Sequence, residues 1–369
     1  MRAIMTAAAI GLFFTLFATR WFIWLFRKWR WGQFIRDDGP QTHHTKHGTP
    51  TMGGIVIILA SVLGYFGANL FNGESPTASG MLVLFMMVGL GLVGFADDYI
   101  KTHKKRSLGL TGWAKMGGQA VVSIAFTWMA LSLPDEHGIN PASTRISLFR
   151  DMPINLAFDE EAKQWGIWGT IIGIVLVQLW FYLLTSGASN GVNIADGLDG
   201  LAAGSSIMAI GAFAVIGFWK FNQNCFNPRH LTGCYLARDP LDLAVVAAAI
   251  VGALIGFLWW NTAPAHLYMG DTGSLGLGGA LAALAITSRT ELLLLPIGGI
   301  FVIVTGSVIL QRLYFKITKG KRIFLMSPLH HHFELKGWAE VTVVVRFWII
   351  AGLCVLGGIG LFYAEWLKR

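Results

Sequence analysis

The sequence predicts an all-α, polytopic integral membrane protein: ten transmembrane helices in one domain spanning 1–369, both termini on the outer side. Three observations carry that expectation. First, 54% of the residues are hydrophobic and only 13% are charged, about half the roughly 25% charged share of a soluble domain. Second, uncharged apolar runs of about 20 residues, the length a helix needs to cross a bilayer, recur along the chain. Third, Lys and Arg concentrate in alternate loops between those runs, as they do on the cytoplasmic side of membrane proteins. The charge deficit excludes an ordinary cytosolic enzyme and a disordered chain. The 45 glycines follow no triplet, so collagen-like sequence is excluded. Period-2 alternation is absent, which disfavours a β-barrel.

The spans follow in order, marked off by charges. Ala3 to Phe26 is the first, interrupted only by Arg20. Thr51 to Gly73 is the second, Ser75 to Ala96 the third and Met116 to Pro134 the fourth. Gln164 to Ala195 is too long for one crossing, so the fifth helix is placed near 165–186 with a polar loop after it. Gly200 to Trp219 is the sixth. Leu243 to Gly270 is again too long, which puts the seventh near 243–260. Thr272 to Ser288, Leu292 to Gln311 and Phe347 to Ala364 complete the ten.

Orientation comes from the basic residues. One set of loops holds Arg27, Lys28, Arg30, Arg36 and Lys46, then Lys101, Lys104, Lys105, Arg106 and Lys115. Its third cluster is Arg312, Lys316, Lys319, Lys321, Arg322, Lys336 and Arg346. These are 17 basic residues against nine acids, whereas the opposite side has ten against eleven. The first set is therefore cytoplasmic. The net charge of +8 is topological and gives no support to nucleic-acid binding. The first apolar run precedes its basic residues and ends without a small-residue cleavage site, unlike a cleaved signal peptide. Cys354 lies in the last helix, where packing explains it. Cys225 and Cys234 share an outer loop and could form a disulfide or remain two thiols. The long outer loop Asp135 to Lys163 mixes charges and reads as solvated surface.

The inner loops carry the chemistry. Asp97 and Asp98 end the third helix. Asn190, Asn193, Asp196 and Asp199 lie between the fifth and sixth, and Asn261, His266, Tyr268 and Asp271 between the seventh and eighth. His330, His331 and His332 lie between the ninth and tenth. Carboxylates at the hydrocarbon boundary are costly unless paired, hydrated or metal-bound; single ones are read as helix caps or lysine partners, but the whole set reaches one face. Oxygen donors of this kind suit Mg²⁺, which commonly bridges to substrate phosphates. In Asn190-Gly-Val-Asn-Ile-Ala-Asp-Gly-Leu-Asp-Gly, Asp196 and Asp199 are three apart. On a helix they would share a face, where the sixth helix begins and anions are attracted. Met269-Gly-Asp-Thr-Gly sets a similar glycine-flanked Asp at the start of the eighth helix. Adjacent histidines on a helix point about 100° apart, so three in a row cannot all reach one metal. Ser327 and Pro328 read as the cap and first position of a short helix carrying them. Two motif matches are set aside. Gly89-Leu-Gly-Leu-Val-Gly sits inside a membrane helix with no preceding strand, and Gly252 with Gly256 reports helix packing.

Five stretches together resemble the phospho-N-acetylmuramoyl-pentapeptide transferase family. They are Gly48-Thr-Pro-Thr-Met-Gly-Gly, Phe95-Ala-Asp-Asp-Tyr, Asn190 to Gly200, Asn261 to Gly273, and Pro328-Leu-His-His-His-Phe-Glu-Leu-Lys-Gly. The paired-Asp and Asp-Gly-Leu-Asp-Gly stretches are shared with the wider polyprenyl-phosphate N-acetylhexosamine-1-phosphate transferases; the triple-His stretch is more particular to the muramoyl branch. The resemblance implies a homodimer in the bacterial plasma membrane. The implied reaction joins UDP-N-acetylmuramoyl-pentapeptide and undecaprenyl phosphate into lipid I and UMP with Mg²⁺. It implies Asp271 as the Mg²⁺ ligand and Asp97 as the base acting on the lipid phosphate, with Asp98 and His330 supporting catalysis. Asp199, Asn261 and Tyr268 would line a uridine pocket. Lys46, Thr51, Lys115, Asn190, Asn193, Asp196, His331 and His332 would bind substrate around it. The family commonly has Phe at the position of Tyr268; stacking on a base survives that change, but the hydroxyl needs a partner. The alternatives are a sister transferase using UDP-N-acetylglucosamine, which leaves the triple-His stretch without a role, and an ion-coupled transporter. A transporter would place its acids near the bilayer midplane on broken, repeated helices.

Overall fold

The structure is a computed structural model and describes residues 1–29, 31–32, 48–104, 108–158, 166–226 and 233–368. Lys46, and the basic residues Arg30, Arg36, Lys105 and Arg106 used for orientation, lie outside the described residues. In order the elements are α1 (Arg2–Lys28), α2 (Gly54–Asn72), α3 (Ala78–His103) and α4 (Gly112–Ser132), then the strands β1 (Arg145–Ser147) and β2 (Asp151–Asn155). The second half has α5 (Ile167–Ala195), α6 (Leu201–Asn222), α7 (Pro240–Asn261), α8 (Gly270–Thr287), the short α9 (Leu294–Ile297), α10 (Gly299–Ile317), α11 (Leu329–Leu335) and α12 (Glu340–Leu367).

Each of the ten predicted apolar runs contains or becomes one long helix. Among the described residues, eight of these are long and apolar enough to cross a membrane. The two outside that group are α4, which carries Lys115 and Gln119, and α8, which carries Asp271 and a run of glycines. The chain is thus an α-helical polytopic membrane protein, and the only strands among the described residues are the antiparallel pair β1–β2.

Several boundaries differ from the sequence reading, and the differences fall at the polar ends. α3 does not end at Asp97 and Asp98 but runs on to His103. α5 continues to Ala195, so Asn190 and Asn193 stand on a helix and not in a loop. Charge and amide groups mark span ends in the sequence, yet a helix continues past the hydrocarbon wherever its polar side chains find partners. Asp196 is the C-cap of α5, and Asp199 lies in the turn before α6, so the two do not share a helical face. The predicted short helix is present as α11, but Pro328 is its N-cap and Ser327 makes no side-chain cap.

The core is built on α8. Every residue from Thr272 to Thr287 is buried, although the segment is rich in Gly and Ala. Small residues let backbones approach where lipid gives helices no hydrophobic reason to associate. A Cβ on Gly94 of α3 would run into the Asp271 backbone, and one on Gly54 of α2 into that of Gly273. Gly252 and Gly256 of α7 similarly lie directly against α1, as their spacing predicted.

The segment between α4 and α5, expected to be solvated surface, is more than that. Ser147 donates its N–H to Glu291 at 3.0 Å, and Trp180 Nε1 donates to the same carboxylate at 2.9 Å. Arg289 Nη1 donates to Asp151 at 2.8 Å. Lys220, fully buried, donates to the carbonyls of Phe149 (3.0 Å) and Ser288 (2.6 Å). Burial pushes the Glu291 carboxyl up to about 7. Cys225 and Cys234 form a disulfide, and Cys354 is the free thiol.

Candidate active site

The polar groups of α3, α4, α5 and α8 converge where α8 begins. Asp97 and Asp98 are buried on the penultimate turn of α3. Asp98 supplies what the start of α8 lacks. The first N–H groups of a helix have no partner within it. Asp98 Oδ1 accepts from the Asp271 N–H (3.1 Å), while Oδ2 accepts from the Thr272 N–H (2.9 Å) and the Thr272 hydroxyl (2.8 Å). Gly270, at φ +73, makes the turn into the helix, and a Cβ there would meet the Asp98 carboxylate at 2.6 Å. Only glycine adopts that backbone at no steric cost. Asp97 accepts from the Leu110 N–H at 2.8 Å, which ties the α3–α4 connection to the site.

Asp271 is held from three sides. Asn193 Nδ2 of α5 donates to its Oδ1 at 2.8 Å, and also to Ser274 Oγ at 2.8 Å. Lys115 of α4 donates to Oδ2 at 2.6 Å and Lys101 of α3 at 3.0 Å. The Lys101 ammonium also lies 2.5 Å from Asp97 and 3.9 Å from Asp98, so one cation sits among all three carboxylates. Lys115 is 3.5 Å from Asp97. The buried carboxylates of Asp97 and Asp98 persist as charges only when paired. Just beyond, burial and the charges of Asp271, Asp98 and Asp199 push the Asp196 carboxyl up to about 8.

A second group shapes the wall. The Asp199 N–H donates to Glu340 Oε1 at 3.0 Å, and Asp199 Oδ2 accepts from the Ala265 N–H at 3.0 Å. Asn261 accepts from the Gly200 N–H (3.1 Å) and donates to the Leu267 carbonyl (2.9 Å). These bonds fold the α7–α8 loop so that Tyr268 pairs with the segment before α2: its N–H donates to Pro50 O, and its carbonyl accepts from Gly53 N–H. The Tyr268 hydroxyl has Thr49 as its side-chain partner; burial and the nearby Asp199 charge raise its pKa. Thr51 is buried on the same segment, beside Gly270.

The histidines separate as their helical spacing requires. His330 is fully buried against Gly197, where a Cβ would strike its ring. His331 Nδ1 pairs with Glu334 at 2.6 Å. His332 Nδ1 accepts from the Leu325 N–H at 3.1 Å, and burial and Lys336 lower its pKa. Asn190 turns toward α4, exchanging hydrogen bonds with Gln119 at 3.2 and 3.3 Å. The structure thus brings Asp97, Asp98, Lys115, Asn193 and Asp271 together and sets Asp199, Asn261 and Tyr268 in the adjoining wall. Lys101, Thr272 and Glu340 were not singled out from sequence. Lys101 had a signal, because it lies three and four residues after the two aspartates on one helix.

The donor set suits a hard divalent cation. Asp97, Asp98 and Asp271 offer oxygens lying within 4.8 Å of one another, and the Lys101 ammonium already stands among them as a monovalent cation would.

Comparison with known proteins places the chain in a family. Residues 80–289 match the profile of Glycosyl transferase family 4, so the fold and site define a membrane-embedded transferase of that class. Residues 46–58 carry phospho-N-acetylmuramoyl-pentapeptide-transferase signature 1. The phospho-N-acetylmuramoyl-pentapeptide-transferase of Clavibacter sepedonicus is 63% identical over 378 residues, covering 100% of both chains. Those of Arthrobacter sp. (strain FB24) and Streptomyces avermitilis are 56% and 55% identical, each covering 100% of this chain and 99% of the relative. The chain belongs to the phospho-N-acetylmuramoyl-pentapeptide transferase family.

Proposed function

We propose that this chain transfers phospho-N-acetylmuramoyl-pentapeptide from its UDP-linked form to undecaprenyl phosphate, giving lipid I and UMP in peptidoglycan synthesis. The observation that carries the reading is the meeting of Asp97, Asp98 and Asp271 with Lys101 and Lys115 at the start of α8, in a chain matching full-length relatives of that name. In the reaction, an oxygen of the lipid phosphate attacks the sugar-bound phosphorus. The new P–O bond forms as the bond to the bridging oxygen of UMP breaks, and that oxygen leaves with its electron pair.

Phosphoryl transfer asks chiefly for positioning and charge stabilisation. Mg²⁺, held by Asp271 with Asp97 beside it, would supply charge for the pyrophosphate and the departing UMP. Asp97 takes the remaining proton of the lipid phosphate and orients it for direct attack. Asp98 fixes the start of α8 and through it the Asp271 backbone, while Asn193 fixes the Asp271 carboxylate. Lys101 and Lys115, paired with Asp271, would bring positive charge to the phosphates. Tyr268 offers its ring to the uracil, on a loop held by Asp199 and Asn261. His330 and its neighbours, with Lys46, Thr51, Asn190 and Asp196, line the path of the sugar phosphate.

The same reading has the protein as a homodimer in the bacterial plasma membrane, with ten spans, outer termini and a cytoplasmic site. The supporting observation for that orientation is the concentration of Lys and Arg on the side of the carboxylates. Purified protein given UDP-N-acetylmuramoyl-pentapeptide, undecaprenyl phosphate and Mg²⁺ should release UMP and form a lipid-linked product. UMP release that is faster with UDP-N-acetylglucosamine would move the chain to the sister activity.

A further inference from the structure

α10 ends differently from the other helices. From Arg312 to Ile317 every residue is exposed. Leu313 and Ile317 are 53% and 79% exposed, and Arg312 and Lys316 alternate with them. The loop that follows adds Lys319, Lys321 and Arg322, all exposed. No Asp or Glu occurs between Glu291 and Glu334, and none of these five cations is ion-paired with a described carboxylate.

The arm is nonetheless built. Buried Gln311 accepts from the N–H groups of Ile323 and Phe324 at 3.0 Å each and donates to Phe324 O at 3.1 Å. The Thr318 hydroxyl donates to Tyr314 O at 2.6 Å, and the Gly320 N–H to Phe315 O at 3.0 Å. These bonds fold the loop back on the helix and hold the cations at its tip.

We propose that this arm docks on the anionic phospholipid headgroups of the leaflet beside the carboxylate site. Water would leave its apolar side chains exposed, and hydrocarbon would leave its cations unsolvated. The headgroup layer of an anionic leaflet satisfies both, with acyl chains for Leu313 and Ile317 and phosphates for the ammonium and guanidinium groups. Continuity favours lipid over a soluble acidic partner, because Val302, Ile303, Ile309 and Leu310, earlier on the same helix, are also exposed on a segment apolar enough to cross a membrane. The arm is also tied to the histidine helix α11, since the Leu325 N–H at its base donates to His332.

The test uses the full chain in nanodiscs. Cys354 is replaced by Ala, and a fluorophore is attached after Ile323→Cys, leaving the Cys225–Cys234 pair oxidised. Headgroup-region quenching is compared for spin-labelled phosphatidylglycerol and spin-labelled phosphatidylcholine. Quenching should be several-fold stronger with phosphatidylglycerol at low salt. That preference should fall away at high salt, where surface charge is screened, and in the combined variant Lys316→Gln, Lys319→Gln, Lys321→Gln, Arg322→Gln. UMP release by the labelled chains establishes that they are folded. Equal quenching by both lipids, quenching by neither, or a preference that survives in the combined variant would overturn the proposal.

Discussion

Asp271→Asn separates charge from shape at the centre of the site. The substitution keeps the side chain's size and an oxygen able to accept from Asn193, now at 2.8 Å. It replaces Oδ2, which accepts from Lys115 at 2.6 Å and Lys101 at 3.0 Å, by an amide group that can only donate. Asp98, engaged with the start of α8, and Asp97, bonded to the Leu110 N–H, then remain beside two ammonium groups. A unit pair about 4 Å apart at an effective dielectric near 20 is worth about 4 kcal/mol, so a divalent ion would lose about twice that before compensation. The retained amide oxygen, and the relief of competition from Lys101 and Lys115, offset much of it. A net loss of about 2–4 kcal/mol remains, or roughly 30- to 1000-fold in Mg²⁺ affinity. UMP release measured against Mg²⁺ concentration should show the midpoint moved upward by that factor, with part of the maximal rate recovered at high Mg²⁺. Calorimetric titration of Mg²⁺ should give the same shift without turnover. Near-normal activity of the variant at low Mg²⁺ would refute the assignment of Asp271 to the metal.

Two further outcomes test the neighbouring roles. Asp97→Asn should lower turnover while leaving nucleotide affinity largely intact. The second ionisation of a phosphate monoester lies at about 6, so the variant should regain rate as pH rises through that value if Asp97 only removes the proton; a phosphorylated Asp97 trapped from unaltered protein without lipid would overturn direct attack. Tyr268→Phe should keep activity and lose about 0.5–1.5 kcal/mol of stability with the Thr49 hydrogen bond, whereas Tyr268→Ala should weaken uridine-nucleotide binding by roughly 1–3 kcal/mol. Unchanged nucleotide affinity in the alanine variant would remove the ring from the pocket.

What could be read from the sequence was set by how local the cause was. Apolar length is a property of each segment alone, so the order of the long helices followed directly. Their polar ends did not, because the extension of α3 past Asp97 to His103 depends on Lys101, Lys115 and α8 arriving from elsewhere. The convergence of Asp97, Asp98 and Asp271 on one face was legible, since all three sit near helix ends on the same side. Lys101 is legible too, at i+3 and i+4 from the two aspartates on a helix, although in the charge pattern it reads only as a topological charge. The bond from the Asp199 N–H to Glu340 spans 141 positions and left no local trace. Neither did the Thr49 partner of Tyr268, although the hydroxyl itself announced that one was needed. The segment carrying β1 and β2 misled for the same reason, because the burial of Lys220 and Glu291 is decided by the hairpin that covers them.

The placement of the site follows from the burial of α8. A helix surrounded by protein along its whole length cannot hydrate its first N–H groups, and its positive dipole end must be met by an anion. Asp98 meets that demand with three accepted bonds, which leaves little of its carboxylate for another ligand. Asp271, on the second residue of the same helix, is then displayed on a backbone that cannot shift, with Gly270 fixing its entry and Gly94 packed against it. Asp97 occupies the adjacent position on α3 and, among the described residues, has only Leu110 as a backbone partner. The two aspartates side by side in sequence are therefore set apart by the start of α8, one consumed in holding the helix and the other left to face the reacting groups. Asp98→Asn should for that reason act through position and not charge: its amide nitrogen would oppose either the Asp271 N–H or the Thr272 N–H. The consequence is a displaced Asp271, a loss of Mg²⁺ affinity and a loss of thermal stability together, whereas Asp97→Asn lowers turnover alone.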